Sequence, residues 1–183
     1  DIRGIWQGML DKVTGVIEKK CVAYIVFEGV SGELADVMVN EGLQAYKKDG
    51  CDFLIALGGG SPIDSMKAVA ALSVTDEEIS DFFGKEIEGN LPPMAAIPTT
   101  AGTGSEATRF TIITDTKQDV KMLLSGDVLM PDLAIVAPQF TSAAPTKTTA
   151  ATGQPHLTPA VHCNTSATQH PDTDVLRLLL ADG

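Results

Sequence analysis

Several things are scarce in this chain, and each scarcity narrows what it can be. No stretch reaches the roughly 18 consecutive apolar residues that a membrane-crossing helix requires. A bilayer-spanning role is therefore not expected. The sequence begins with Asp1 rather than Met and shows no charged-then-apolar leader of the secretory kind, so the cytoplasm is the expected compartment. Its three cysteines, Cys21, Cys51 and Cys163, are odd in number and far apart. That does not suit a disulfide framework, and they read as small buried hydrophobes in a reducing compartment. Basic residues are few: 13 Lys and Arg face 24 Asp and Glu, for a net charge of −11. Nucleic acids and anionic membranes are thus disfavoured as partners, because phosphate contacts need clustered Lys and Arg. The charge excess reads as plain solubility.

What remains is an apolar pattern that switches period. The 183 residues suffice for one domain with a sizeable core. Ile5, Met9, Leu10, Val13 and Ile17 recur at helical spacing, and Lys19-Lys20 close that segment with cations. "VAYIVF", residues 22–27, reads as a buried strand. A second helix runs from Leu34 to Lys48, with Gly50 just beyond it. "FLIAL", residues 53–57, is the next strand, and 61–72 the next helix. "MAAIP" (94–98) and "LAIVAP" (133–138) are further strands, while "RFTIIT" and "VKMLL" flank "DTKQD" as a β-hairpin. Helices alternating with continuously apolar strands predict an α/β fold: a Rossmann-like parallel sheet with helices on both faces, plus the hairpin. Residues 1–140 form this domain. Beyond it the texture changes, and 141–183 is a Thr-, Ala- and Pro-rich segment with a short terminal helix.

"FLIALGGGSPIDSMKAVAAL" breaks a strand with Gly58, Gly59 and Gly60 and restarts at once as a helix. Glycine lets a ligand approach the backbone, and a helix N-terminus offers unpaired N–H groups and partial positive charge, which together suit a phosphate. Ser61 reads as the N-cap, Pro62 as the first helical residue and Asp64 as the reciprocal capping residue. The stretch is neither a G-x-G-x-x-G fingerprint nor a Walker loop, and taken alone it could be a tight turn. A second loop, "IPTTAGTGSEAT" (97–108), follows another strand and is crowded with Thr, Gly and Ser. Two such loops at strand ends would face one crevice, the ligand-binding position of open α/β sheets. Hydroxyls and backbone amides there suit a polyphosphate or dinucleotide.

The two loops, with "RFTIITDTKQDVKM" after them, resemble the iron-dependent (group III) alcohol dehydrogenases, in particular the propanediol dehydrogenase and lactaldehyde reductase branch. The likeness covers about residues 1–153. It implies an NAD-dependent transfer of hydride to or from a small alcohol or aldehyde, with a divalent metal, usually iron, as Lewis acid. It also implies frequent homo-oligomers and a C-terminal all-helical domain, which is expected to be absent from these 183 residues. By position, Gly59, Gly60 and Ser61 match the loop that holds the cofactor's pyrophosphate. Thr99, Thr100 and Thr103 match its second cofactor loop, and Lys121 a lysine near the cofactor ribose. Asp1 falls where the family closes its first strand with an Asp; a carboxylate there binds the adenosine ribose and favours NAD over NADP. Phe110 reads as core, with the nicotinamide or substrate side as the other option.

The chain also departs from the family. Gly32-Glu33 stand where an Asn-Pro turn is usual, and Ala137 where the strand carries an acidic residue. Pro155 and Pro159 occupy the positions of a metal-binding Asp and His. Proline offers no donor atom, so no metal ligand is assigned. His156, His162 and His170, six and eight residues apart, share no helical face and, with Cys163, match no zinc pattern. No catalytic residue is assigned either, since neither Ser61 nor Ser105 sits in a nucleophile elbow. Besides the dehydrogenase, a catalytically inactive nucleotide-binding relative stays open, and more distantly a phosphate-eliminating enzyme of the dehydroquinate synthase kind.

Overall fold

In a computed structural model, residues 2–100 and 102–141 are described, with the side chains of 2–6 left out. Helix α1 (Ile2–Lys19) comes first, followed by α2 (Asp36–Lys48), strand β1 (Leu54–Gly58) and α3 (Gly60–Ser73). Strand β2 (Met94–Pro98), the β3 (Phe110–Asp115) and β4 (Val120–Ser125) hairpin, β5 (Leu133–Ala134) and a short α4 (Pro138–Thr141) complete them. The strands β1, β2 and β5 form a parallel sheet in the order β1-β2-β5, with Gly58 beside Pro98 at its carboxyl edge. The expected α/β architecture with a separate hairpin is present.

Alternation along the strands assigns the two faces. Ala56, Met94 and Ala96 turn to one side and pack on Ile63, Met66 and Ala70 of α3. Leu57 and Ile97 turn to the other, where Met9 and Val13 of α1 meet Phe140 of α4. Helices thus cover both faces, which is why strand β2 contains no polar residue. A larger cluster lies between α2, α3 and the hairpin, built on Val39, Leu72, Ile113, Met122 and Leu124. Roughly 2 kcal/mol per buried side chain of this size makes α3, shared by both clusters, the central support.

Some expectations shift. The backbone from Val22 to Val30 joins no strand ladder, and Val22, Ile25, Val26 and Phe27 are 38–47% exposed. Its composition favours a strand, but a strand exists only through a hydrogen-bonded neighbour. Cys21 is exposed rather than buried, in a turn with φ +55° after α1. Strand β5 is shorter than "LAIVAP", although Ile135 N–H still donates to the Ala96 carbonyl at 2.8 Å. The expected second segment, 141–183, lies from residue 142 onward outside the described residues. No helix among the described residues is long and apolar enough to cross a membrane.

Candidate functional site

Both unusual loops leave the carboxyl ends of neighbouring parallel strands, β1 and β2, and a backbone bond joins them: Thr99 N–H donates to the Gly58 carbonyl at 2.9 Å. The glycines let them close up. A Cβ added to Gly59 would stand 3.2 Å from Thr100 Oγ1, and one on Gly60 would stand 3.1 Å from Thr103 Cγ2. Such spacings are tighter than ordinary carbon contacts, so glycine at these two positions is what lets the threonine loop approach. Gly58 has another reason: a Cβ there would come within 2.5 Å of the Pro62 ring.

The helix starts two residues earlier than expected. Gly59 is the N-cap of α3, and no side chain caps the helix. Ser61 instead donates its hydroxyl to the Gly32 carbonyl at 3.1 Å. Pro62 still falls in the first turn, where a missing N–H costs nothing. The first-turn amides at Gly60 and Ser61 are therefore left uncapped by any side chain. Asp64, one turn in, does not cap. Its carboxylate sits against β3, with a long 3.4 Å contact from the Ile112 N–H, and burial pushes its pKa above the usual carboxylate range despite nearby Lys67.

Between these elements lies a shallow crevice of about 320 Å³, lined by Glu33, Gly60, Ser61, Thr103, Thr114 and Lys121 among others. An adjoining apolar recess of about 260 Å³ shares Asp64, Thr103, Ser105 and Ile112 with it and adds Phe110 and Leu123. Phe110 is thus not core: it is 42% exposed, with the Arg109 guanidinium 5.7 Å from its ring centre. Lys121 reaches the crevice from β4, where its ammonium pairs with Glu33 at 2.9 Å. Of the expected binding residues, Gly59, Gly60, Ser61, Thr99, Thr100, Thr103 and Lys121 all lie in or beside this region. Asp1, Pro155, Pro159 and the three histidines fall outside the described residues.

Unpaired polar atoms concentrate here too. Among the described residues, the buried side-chain oxygens without a hydrogen-bond partner are Thr99 Oγ1, Thr100 Oγ1, Asp64 Oδ1 and Glu106 Oε2. All four belong to the two loops or to the helix between them. Buried polar atoms normally find partners, so this concentration fits a region built to receive a polar ligand.

Sequence reasoning passed over Lys67. Its side chain is fully buried, and its ammonium donates to the Thr108 carbonyl (2.7 Å), the Thr108 hydroxyl (3.1 Å) and the Phe110 carbonyl (2.8 Å). It thereby ties α3 to the far end of the threonine loop. A lone lysine within "SMKAVAAL", otherwise wholly buried, was the available signal.

The pattern described as iron-containing alcohol dehydrogenase matches residues 3–138. The chain belongs to that family. It is 34% identical to the choline dehydrogenase of Bacillus subtilis (strain 168) over 96% of its own length and 45% of the relative's. Among solved structures, 1,3-propanediol oxidoreductase superposes with a TM-score of 0.88 at 32% identity, covering 92% of this chain and 44% of that one. Sulfoacetaldehyde reductase from Bifidobacterium kashiwanohense, solved in complex with NAD+, gives 0.85 at 31%, covering 94% and 46%. The chain therefore spans less than half the length of the relatives it matches.

Proposed function

We propose that this chain provides the dinucleotide-binding part of an NAD-dependent alcohol dehydrogenase or aldehyde reductase. The observation that carries the reading is the packing of the glycine loop on the threonine loop at one sheet edge, with unpaired buried hydroxyls at Thr99 and Thr100. The uncapped amides of Gly60 and Ser61 would face the pyrophosphate, where the start of α3 favours negative charge. Thr99, Thr100 and Thr103 would supply hydroxyls, and Lys121 would reach the ribose. The recess at Phe110, Ile112 and Leu123 would take the flat apolar end of the ligand. A bound nicotinamide supplies hydride exchange with an alcohol carbon. The NAD+ complex of the sulfoacetaldehyde reductase supports this assignment. The relatives' names span choline, a propanediol and sulfoacetaldehyde, so the substrate is proposed only as a small alcohol or aldehyde.

The family's iron fits less well. Among the described residues no three metal-ligating side chains cluster, and the family's ligand positions are Pro155 and Pro159 outside them. No step is assigned to a metal here. Those prolines favour a second reading, a nucleotide-binding relative without catalysis. One experiment tests both: titration of the chain with NADH, followed by NAD-linked oxidation of 1,3-propanediol with added ferrous iron. Saturable NADH binding supports the crevice, and turnover then selects the dehydrogenase over the inactive relative. Absence of binding at millimolar NADH would overturn both.

A further inference from the structure

The turn at Gly32-Glu33 engages three of the crevice's side-chain donors at once. Gly32 adopts φ +69°, and its carbonyl takes the Ser61 hydroxyl at 3.1 Å. Glu33 Oε1 accepts from both the Lys121 ammonium and the Thr114 hydroxyl, each at 2.9 Å. The turn is held against the hairpin by Thr114 N–H, which donates to the Leu34 carbonyl at 2.9 Å. Lys121 is the one cation lining the crevice among the described residues, and the other charged lining groups are the carboxylates of Glu33 and Asp64. An anionic ligand entering there meets two negative charges and an ammonium that is already paired.

We infer that Glu33 is an affinity-setting residue of this crevice: it competes with the bound dinucleotide for Lys121. The inference rests on the dinucleotide reading above. The exchange is physically cheap. The two side chains are 69% and 60% exposed, and an ion pair so exposed is worth little. The lysine stem is flexible enough to swing from one acceptor to another. Hydrogen bonds from Lys121 and Thr114 hold the Glu33 carboxyl below its usual range, so it stays charged at neutral pH and the competition persists there.

NADH dissociation constants for the chain, Glu33→Gln, Lys121→Met and the double variant test this. The glutamine keeps an acceptor for Thr114 while removing the charge that holds Lys121. Glu33→Gln should tighten NADH by about two- to five-fold, the range set by exposed ion pairs. Lys121→Met should weaken it, and in that background Glu33→Gln should lose most of its benefit. Unchanged melting temperatures would show that the fold is intact. Weaker binding by Glu33→Gln would overturn the inference, because Glu33 would then be holding the ligand itself. An equal gain with and without Lys121 would overturn it too, pointing to simple charge repulsion. If none of the four proteins binds NADH, the dinucleotide reading falls and this inference with it.

Discussion

Asp64 shows how two residues of helix offset change a role. Read from the sequence, it sat where a capping carboxylate belongs, three residues after Ser61. With the helix beginning at Gly60, its carboxylate is instead half-buried against β3, and one oxygen has no partner. Burial raises its pKa above 3.8, more than Lys67 and the Ile112 N–H lower it. A raised folded-state pKa means that the neutral acid is favoured by folding. That stabilisation is complete below the unfolded pKa and is lost as pH rises through the folded one. At neutral pH the charged carboxylate is therefore a cost. Asp64→Asn should raise the melting temperature at pH 7, and the difference from the parent should shrink as pH falls toward 3.8. A difference independent of pH would refute it. The partners of Lys67 were illegible for a related reason: its three acceptors are more than 40 positions away in the chain, and no local pattern reports them.

At the scale of elements, the features written in local chemistry were readable. The hairpin followed from two apolar runs around "DTKQD", and its turn is held by Asp115, whose carboxylate accepts from the Lys117 N–H at 2.8 Å and from Gln118 Nε2 at 3.1 Å. Strand β2 was readable because both of its faces are covered. "VAYIVF" was misread because pairing depends on a neighbour that periodicity cannot supply. The join between the hairpin and residues 84–89 was also invisible, although one glycine makes room for it. Gly126 follows β4, where Ile87 N–H donates to the Ser125 carbonyl at 2.7 Å, and a Cβ on Gly126 would run into the Ile87 carbonyl oxygen. Its backbone is extended, at φ 172°, so alanine would be penalised by collision rather than by torsion. Gly126→Ala should destabilise the chain by about 1–3 kcal/mol, the usual cost of overpacking. Denaturant unfolding would check it, and a change below about 0.5 kcal/mol, the scale of a neutral surface substitution, would contradict the contact.

For the whole molecule, the two loops, α3 and the hairpin behave as one unit. Lys67 joins the helix to the threonine loop and to Phe110, and Thr111 donates its hydroxyl to the Asp64 carbonyl at 2.9 Å. A ligand gripping both loops should therefore oppose global unfolding rather than merely quiet a surface loop. Ligand at a hundred times its dissociation constant adds about 2.7 kcal/mol. For a chain of this size that corresponds to a rise of about 5–11 °C in melting temperature. Metal should behave differently, because the described residues contain no ligand cluster and prolines stand at the family's ligand positions. NADH should thus raise the melting temperature while EDTA leaves it where it was, in paired scans of the same preparation. A flat response to saturating NADH would mean that the loops do not share a ligand, and a drop with EDTA would reveal a metal that this chain's residues hold after all.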